Sequence, residues 1–392
     1  MRLTRLAMMV RSLRFDPVAL KALACERAIA QGAAAVRVTD ALEDGATRQR
    51  LQASFERGDL ATWRYDDAYA VRASDPRTLL ADARSIICLA VAFATPPPQA
   101  RPLTGRVSNY AWSEDYHRRV RALLENVAAI IDEAAGKSVT AIACDTKPLA
   151  ERALAARAGL GWIGKHTNLI APGSGSFVFL GEIVTSIALP PDAPLSKTCG
   201  SCTRCVGACP TGALRGDYTM DATLCISDLT QRTGGIPRAL RPLIGTWVWG
   251  CDMCQEACPP TRRAPFAMDA KNEPASSEVA QPSLLGLLCL KSRDYDRFYR
   301  RTGMGWRGAA VLRRNAAVAL GNALDRSAVA GLVRALVADP HPMVRSHAAW
   351  ALGRIGAPGA LDALTARRHA EPDADVCEEI DAALEPFAAT AR

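Results

Sequence analysis

Eight of the 13 cysteines in this chain lie between residues 199 and 258, in two runs whose spacing is suited to electron transfer. The first run is Cys199-x2-Cys202-x2-Cys205-x3-Cys209-Pro210, and after Cys225 the second is Cys251-x2-Cys254-x3-Cys258-Pro259. In such runs the closely spaced thiolates ligate one [4Fe-4S] cluster, and the cysteine before proline ligates the neighbouring cluster. The spacing therefore predicts one cluster on Cys199, Cys202, Cys205 and Cys258, and a second on Cys209, Cys225, Cys251 and Cys254.

Zinc and disulfide bonds are alternative interpretations of these cysteines. Cys-x2-Cys is also a common spacing in structural zinc sites. However, a third cysteine after only two residues and two Cys-x3-Cys-Pro endings are typical of ferredoxins. Disulfides are typical of short secreted chains. Residues 1–14 lack the long apolar region of a secretory signal, and we expect them to form a helix or an extended start.

The composition indicates a globular protein of two or three domains. The 392 residues are 49% hydrophobic and have a mean hydropathy of +0.01, which is enough to bury substantial cores. No apolar run approaches the roughly 18 residues that a membrane span needs. We therefore expect a cytoplasmic protein without a membrane partner. The net charge of +8 permits a polyanionic partner without requiring one.

Residues 1–190 are predicted to form an α/β domain. Short runs rich in Val and Ile predict strands at 34–38, 85–92, 139–143 and 177–185. Helical periodicity predicts helices at 115–135 and 149–158. The proline-rich segment 190–194 is the expected hinge into the cysteine module, residues 191–270. A polar stretch at 271–281 indicates the next boundary.

Residues 271–392 contain an internal repeat. The sequence at 344–353 aligns with that at 312–321 at an offset of 32 residues, and 376–384 is a weaker third copy. Alanines at helical spacing, a closing glycine and a following helix at 329–337 are typical of stacked helical pairs of the HEAT type. Such solenoids bind large partners, and a purely structural buttress is the alternative.

The approach to these repeats is basic and aromatic, which favours RNA as the partner. Eight Lys and Arg residues between 291 and 314 are opposed by two Asp residues, and four aromatic residues lie among them. Cations neutralise phosphates, and aromatic rings stack on exposed bases. The residues predicted to bind RNA are Arg300, Arg301, Arg313, Arg314 and Arg345.

Asp145 is the candidate proton donor. It follows the strand predicted at 139–143 and precedes Pro148 and a helix, so its carboxyl is expected at a strand tip, where α/β sheets hold ligands. A helix N-cap is an equally good interpretation of this position. The G-x-G-x-x-G string at 159–164 follows a predicted helix rather than a strand, and therefore does not predict a dinucleotide site.

Several strings in this chain occur in the order of one known family. They are Arg72-x2-Asp75-Pro76, Tyr110-x4-Asp115-Tyr116-His117, Asp145-Thr146-Lys147-Pro148-x2-Glu151-Arg152, Gly159-Leu160-Gly161-Trp162-Ile163-Gly164-Lys165, Phe179-Leu180-Gly181-Glu182-Ile183, the cysteine module with Cys225-Ile226-Ser227 and Gly250-Cys251-Asp252, and Arg314-Asn315-Ala316-Ala317. With these strings the chain resembles the epoxyqueuosine reductases.

The resemblance implies an α+β multidomain fold. Its parts are a nitroreductase-like α/β domain that binds cobalamin, a ferredoxin-like double [4Fe-4S] module, and C-terminal α-helical HEAT-like repeats that grip tRNA. The resemblance also implies reduction of the epoxide of epoxyqueuosine to queuosine at the wobble position of tRNA. Electrons from an external donor would pass through the clusters to cobalamin, and Asp145 would protonate the departing oxygen.

The resemblance further implies which residues line the cobalamin pocket: Arg72, Tyr110, Asp145, Lys165, His166, Thr167, Ser227 and Asp252. His166 stands where the family usually carries Asn. Lys165 is equally well interpreted as a surface residue, and Ser227 and Asp252 as structural hydrogen-bonding groups. The chain has no Asp-x-His-x2-Gly string, the usual sign of histidine ligation to cobalt, so the corrin is expected to bind without a protein ligand.

Two other functions are compatible with parts of the sequence. A reductive dehalogenase-like enzyme acting on a small molecule would share cobalamin and the clusters, but would have little use for a basic solenoid. An iron–sulfur electron carrier would need the cysteines, but not the large α/β domain. Cobalamin uptake and reduction of epoxyqueuosine in tRNA distinguish the three functions.

Overall fold

The computed structural model describes residues 16–267, 269 and 272–390, so the prediction for residues 1–14 lies outside the described chain. The N-terminal part alternates helices and strands, as predicted. In chain order these elements are α1 (Pro17–Ala30), β1 (Ala35–Asp40), α2 (Gly45–Glu56), α3 (Asp67–Ser74), β2 (Ser85–Ala92), β3 (Arg106–Val107), α4 (Tyr116–Ala135), β4 (Thr140–Ala143), α5 (Glu151–Arg157), β5 (Trp162–Ile163), β6 (Leu169–Ile170) and β7 (Val178–Thr185).

Four of these strands form one antiparallel sheet in the order β1-β2-β7-β4. The central strand β2 is buried at every position but the last, because helices cover both faces of the sheet. Ile87 and Leu89 pack in one core with α1 and α4, whereas Ile86 and Cys88 pack in a second core with α5. The sequence of a strand that is buried on both faces is a continuous run of apolar residues. The four predicted strands and two predicted helices of this domain are confirmed.

The glycines of the 159–164 motif allow close backbone packing. Gly159 has a φ of +80°, and an added Cβ there would lie 2.2 Å from the carbonyl oxygen of Ala193. A Cβ on Gly161 would lie 2.4 Å from the carbonyl oxygen of Ile170. The motif follows α5 and leads into β5. The strand-to-helix turn that cradles a pyrophosphate is therefore not formed here.

The cysteine module consists of short helices, one short strand and the loops between them. Its elements are α6 (Arg204–Ala208), α7 (Ile226–Gln231), β8 (Trp247–Trp249), α8 (Met253–Glu256) and α9 (Pro259–Arg263). Strand β8 pairs in parallel with β3 and so joins the module to the N-terminal domain. Trp247 and Trp249 are buried in a core that also contains apolar residues of the C-terminal helices.

The C-terminal part is helical. Its elements are α10 (Ser277–Ala280), α11 (Leu284–Leu288), α12 (Ser292–Phe298), α13 (Ala309–Ala323), α14 (Val329–Ala338), α15 (Pro342–Ile355), α16 (Pro358–Ala370) and α17 (Ala374–Thr390). The repeat copies lie on α13, α15 and α17, which pack side by side. A Cβ at Gly321 would lie 2.7 Å from the Trp350 ring, and one at Gly353 would lie 2.8 Å from Ala383. The closing glycine of each repeat therefore allows the helices of neighbouring copies to pack closely against each other.

Arg314 lies in the interior, between α13 and the cysteine module. Its side chain is fully buried. The neighbouring Asn315 donates from its amide to the carbonyl oxygens of Thr230 and Val248, at 2.7 Å each. The Arg314 guanidinium donates to five oxygens, those of the Leu229, Thr230, Arg232 and Gly234 carbonyls and of the Asn315 side chain. Arg314 therefore attaches the repeats to the segment that follows Cys225.

Arg313 and Arg345 form ion pairs inside the repeats. Arg313 pairs with Asp339 at 2.7 Å and Arg345 pairs with Glu371 at 2.6 Å, and all four side chains are largely buried. The two pairs have the same sequence separation of 26 residues, because the arginines are equivalent positions of the repeat. The prediction that Arg313, Arg314 and Arg345 bind RNA is corrected, since their guanidinium groups are occupied within the chain.

Arg300 and Arg301 are exposed and remain available to a partner. Arg300 makes an ion pair with Asp296 at 3.1 Å, in which its side chain stays 68% exposed. Among the described residues, no helix combines the length and the apolar character needed to cross a bilayer.

Substitution of Arg314 by methionine tests this structural role. Arg314→Met leaves the carbonyl oxygens of Leu229, Arg232 and Gly234 without this donor, and each unsatisfied buried group costs about 1–3 kcal/mol. We expect the free energy of unfolding to fall by about 3 kcal/mol or more, measured by urea denaturation. The control Arg300→Met removes an exposed guanidinium and should change it by less than about 0.5 kcal/mol. Equal midpoints for Arg314→Met and the wild type would contradict the role.

Candidate functional site

A cavity of about 330 Å³ lies where the N-terminal domain meets the cysteine module. Tyr110 from the loop after β3 and residues 166–168 from the β5–β6 loop form one side. The opposite side contains Cys209, Cys225, Cys251 and Cys254. This volume lies at the lower end of the range of small-molecule sites. The four cysteines are those predicted to ligate the second cluster.

The eight cysteines of the module form two groups of neighbours. Burial raises the pKa of Cys205, and the charges of Cys199 and Cys258 raise it further. Burial likewise raises the pKa of Cys254, and the cysteines that raise it further are Cys251, Cys225 and Cys209. Cys258 is in turn affected by Cys199 and Cys202. These are the two groups of four that the spacing predicts. A donor set made only of thiolates suits iron–sulfur clusters, and the assignment of each ligand stays a prediction.

Tyr110 and Ser227 belong to one hydrogen-bonded chain on the cavity wall. Trp249 donates from its indole nitrogen to the Tyr110 hydroxyl at 2.9 Å, and that hydroxyl contacts Gln231 Oε1 at 3.2 Å. Gln231 then donates to Ser227 Oγ at 2.9 Å. Burial raises the pKa of Tyr110, so its phenol is neutral. Both residues predicted for the pocket therefore line it.

Asp252 lies behind this wall. Its carboxylate accepts hydrogen bonds from the Ser108 hydroxyl and, at 2.7 Å, from the backbone N–H of Asn109. Burial raises the pKa of Asp252 to about 6, although these two hydrogen bonds favour its ionised form. Asp252 therefore connects the cysteine module to the loop that carries Tyr110. This is the structural hydrogen-bonding role that the sequence analysis gave as the alternative to a place in the pocket.

His166 presents a buried polar atom that the chain leaves unsatisfied. Its ring is 2% exposed, and burial lowers the pKa of His166 to about 4, so the imidazole is neutral. Nδ1 accepts from the backbone N–H of Asn168 at 3.2 Å, which places the proton on Nε2. Nε2 has no hydrogen-bond partner among the described residues. A polar ligand in the cavity would satisfy this donor.

Thr167 follows in a strained conformation. Its φ is +65°, in the left-handed region that β-branched residues rarely adopt. Arg152 donates to the Thr167 carbonyl oxygen at 2.8 Å and so helps to hold this turn against the cavity. Strained backbone of this kind is concentrated at functional sites. Thr167 therefore lies where the sequence predicts a ligand contact.

Asp145 lies in the turn after β4, next to two residues of α4. Tyr116 donates from its hydroxyl to Asp145 Oδ2 at 2.8 Å, and His117 Nε2 is 3.7 Å from the same oxygen. Partial desolvation opposes ionisation, but the hydrogen bond from Tyr116 and the neighbouring His117 cation hold the pKa of Asp145 below its ordinary value. Helix α5 instead begins after Ala150, without a side-chain cap. The N-cap interpretation of Asp145 is therefore wrong.

Two buried glutamates support the Asp145 turn. The φ of Asp145 is +55°, and its backbone N–H donates to Glu151 at the start of α5. Glu182 on β7 is fully buried, and the charge of Glu151 adds to the effect of burial on it. Burial raises the pKa of Glu151 to about 7 and the pKa of Glu182 well above its ordinary value. Burial and the Glu151 charge therefore both favour the neutral form of Glu182.

Some predicted residues lie elsewhere. Arg72 is exposed on α3, and the cavity lining does not include it. Lys165 donates to the carbonyl oxygen of Gly200 at 2.9 Å, next to the first cysteine run, and also lies outside the lining. Sequence reasoning assigned no role to Tyr116, His117, Glu151 and Glu182, although these residues are part of the strings that carry the resemblance. It also missed Trp63, which lines the cavity.

Family comparisons cover all three parts of the chain. The family described as "Epoxyqueuosine reductase QueG, DUF1730" matches residues 73–146. A 4Fe-4S double cluster binding domain matches residues 198–261, and HEAT repeats match residues 308–385. The cysteine module is therefore an iron–sulfur module, as the spacing predicts, rather than a zinc site.

Whole-chain relatives agree with these matches. The epoxyqueuosine reductase of Bacillus anthracis is 36% identical over 346 residues, which cover 87% of this chain and 89% of the relative. That of Bacillus subtilis (strain 168) is 36% identical over 79% of this chain and 81% of its own length.

Solved structures show the same architecture. An epoxyqueuosine reductase with an epoxyqueuosine-modified tRNA-Tyr stem loop has a TM-score of 0.88 and 33% identity, covering 93% of this chain and 98% of that one. The Bacillus subtilis enzyme, with its catalytic aspartate loop swung out of the active site, has a TM-score of 0.87, 32% identity and coverage of 93% and 98%. This chain therefore belongs to the epoxyqueuosine reductase family of oxidoreductases.

Proposed function

We propose that this enzyme reduces the epoxide of epoxyqueuosine in tRNA to queuosine, with electrons passing from an external donor through two [4Fe-4S] clusters to bound cobalamin. The observation that carries the proposal is the cavity, whose lining includes four cysteines of the double cluster module together with Tyr110 and His166. A cluster held by these cysteines would supply electrons beside the cavity. An electron carrier would not need such a cavity, and a small-molecule dehalogenase would not need the basic approach to the repeats.

The residues of the cavity suit a corrin. The unpartnered Nε2–H of His166, the Thr167 turn and the Ser227 hydroxyl would hold the amide side chains of cobalamin by hydrogen bonds. When bound, cobalamin supplies a redox-active cobalt centre. The protein excludes water from that centre with Tyr110 and the cysteine module, and keeps the cavity wall neutral through His166 and Tyr110.

Asp145 would deliver protons to the departing oxygen. Reduction of the epoxide to an alkene takes up two electrons and two protons and releases the oxygen as water. The hydrogen bond from His117 to Asp115 and the neighbouring Asp145 carboxylate raise the pKa of His117 to about 9, so it is a cation next to Asp145 at pH 7. His117 would restore the Asp145 proton after each transfer. The catalytic aspartate loop named for the Bacillus subtilis relative supports this role.

The tRNA would approach along the exposed part of the basic segment. Arg300 and Arg301 remain there as candidate phosphate contacts. The relative solved with a modified tRNA stem loop supports this partner. A tRNA substrate also supports a cytoplasmic location for the reaction.

The proposed reaction can be tested directly. The reconstituted protein, cobalamin and a chemical reductant are incubated without oxygen with tRNA that contains epoxyqueuosine. Nucleoside mass spectrometry should then show a product that has lost one oxygen atom. An unchanged nucleoside with fully loaded enzyme would reject the function.

Substitution of Asp145 by asparagine removes the proton donor and keeps the shape of the side chain. Asparagine tolerates the left-handed backbone of this turn. General acid catalysis is worth about 10²–10⁴-fold in rate, so we expect kcat to fall at least about 100-fold while iron content and cobalamin uptake stay unchanged. The control Asp82→Asn changes an exposed carboxylate and should retain the wild-type rate. Full activity in Asp145→Asn would refute the assignment.

The neutral state of Glu182 predicts a pH dependence of stability. The folded protein keeps the Glu182 proton above the pH at which the unfolded chain loses it, so the wild type loses stability as pH rises above about 4.5. Glu182→Gln has no such proton. We therefore expect the melting temperature of Glu182→Gln minus that of the wild type to be at least about 2 °C larger at pH 8 than at pH 5. The exposed control Glu125→Gln should show no such change, and a flat difference for Glu182→Gln would contradict the prediction.

Removal of one cysteine tests the ligand groups. Two [4Fe-4S] clusters hold about eight iron atoms per chain. Cys254→Ala should lose about four of them and keep one cluster signal in electron paramagnetic resonance. Cys289→Ala, which removes an exposed cysteine outside the module, should keep all eight. Unchanged iron content in Cys254→Ala would show that Cys254 is not a ligand.

A further inference from the structure

Four aromatic side chains form a row next to the cavity. We name the row Tyr69, Tyr65, Trp63 and Trp306 the aromatic ladder. The ring centroids of Tyr69 and Tyr65 are 3.9 Å apart, those of Tyr65 and Trp63 are 6.4 Å apart, and those of Trp63 and Trp306 are 5.9 Å apart. The interplanar angles are 21°, 10° and 29°, so the rings are close to parallel.

The ladder is open to solvent. Trp63 is 43% exposed, Tyr65 is 39% exposed and Trp306 is 48% exposed. Aromatic rings that stack only to fill a core are buried. Of these residues, Trp63 also lines the cavity. The ladder therefore offers parallel ring faces outside the cavity and reaches into its edge.

Two separate parts of the chain build this surface. Trp63, Tyr65 and Tyr69 lie between α2 and the first turn of α3, whereas Trp306 precedes α13. Trp306 packs edge-on, at 6.2 Å and 86°, against the buried ring of Trp249. That contact fixes the C-terminal end of the ladder to the core of the cysteine module.

A cation accompanies the rings. The Arg307 guanidinium lies 3.8 Å from the centroid of Trp306 and 5.7 Å from that of Trp63. Its Nε–H is buried and has no hydrogen-bond acceptor among the described residues. An aromatic platform with a neighbouring guanidinium matches the chemistry of single-stranded nucleic acid, in which π faces alternate with phosphates.

We propose that the aromatic ladder stacks the unpaired nucleobases that flank the modified nucleotide of tRNA, and that Arg307 donates to the adjoining phosphate. The proposal rests on the proposed function and extends it to the recognition of the RNA. A base that enters the cavity leaves its stack in the loop, and its neighbours lose a stacking partner. Trp63 and Trp306 are placed to replace that partner beside the cavity.

The experiment uses an unmodified RNA anticodon stem-loop with a fluorescent label, and the full-length protein loaded with iron. Binding is measured by fluorescence anisotropy at one fixed salt concentration. Since stacking on one aromatic ring contributes about 1–3 kcal/mol per base, we expect Trp306→Ala and Trp63→Ala each to weaken binding about tenfold or more. Trp306→Phe should recover most of the affinity. Melting temperatures and iron content check that each variant is folded.

The matched control is Phe266→Ala. Phe266 is also an exposed aromatic residue, 48% exposed, but it lies outside both the ladder and the basic segment at 291–314. We expect this variant to bind the stem-loop as the wild type does. A fully double-stranded RNA of the same length should bind equally to the wild type and to Trp306→Ala, because its bases are already stacked.

Three results would overturn the ladder. These are wild-type affinity in both tryptophan variants, an equal loss in Phe266→Ala, or a loss of cobalamin uptake in Trp63→Ala with unchanged RNA binding. The reduction of epoxyqueuosine is measured separately with the wild type. If the stem-loop binds in a ladder-dependent manner but the wild type reduces nothing, the proposed function fails and the ladder stands. If reduction occurs with ladder-independent binding, the ladder fails and the function stands.

Discussion

Arg314 carries a positive charge into the interior of the protein, where carbonyl oxygens of the chain surround it. Those carbonyls belong to α7 and to the residues directly after it. The same helix presents Ser227 and Gln231 to the cavity, and Gln231 accepts from Tyr110. Tyr110 packs edge-on against Tyr116, which donates to Asp145. Arg314, together with Asn315, thus connects the helical repeats to the wall of the cavity, and the role of the repeats is not limited to a binding surface.

The site concentrates features that cost folding free energy. Asp145 and Thr167 have positive φ values, and such conformations cost about 1–3 kcal/mol each. Glu182 and His166 are buried polar groups with unsatisfied atoms. Contacts from Glu151 and Arg152 hold the two turns in place. The sheet and the repeats, which are packed by apolar residues and glycines, supply the stability that maintains this arrangement.

Local periodicity explains what the sequence could predict. Cysteine spacing, apolar strands and the 32-residue repeat are patterns within short segments, and all three agree with the structure. The roles of the basic residues were harder to predict, because the sequence does not distinguish an arginine on the solvated surface from one surrounded by buried carbonyl oxygens. Arg313 and Arg345 occupy equivalent repeat positions and pair with acids 26 residues later. The acids at this constant separation therefore indicate, within the repeat sequence itself, that the two arginines are structural.

Glu182 and Trp63 illustrate what sequence reasoning could not reach. Glu182 is a single acid in a buried strand, and its meaning depends on Glu151, which approaches from a different helix. Trp63 acquires its neighbours from a segment more than 200 residues later. Both depend on tertiary contacts between separate elements. No local pattern of residue types encodes such contacts, even where the element that carries each residue is predicted correctly.

The ionisation of Asp145 connects substrate binding to proton transfer. In the free protein its side chain is 66% exposed, and the hydrogen bond from Tyr116 and the neighbouring His117 cation favour the carboxylate. An RNA loop that covers the turn would remove water from this carboxylate, and desolvation raises the pKa of an acid. His117, which is protonated below about pH 9, lies 3.7 Å away and could supply the proton. Asp145 would then become an acid only when substrate covers it, so a solvent-exposed turn can still provide a proton donor.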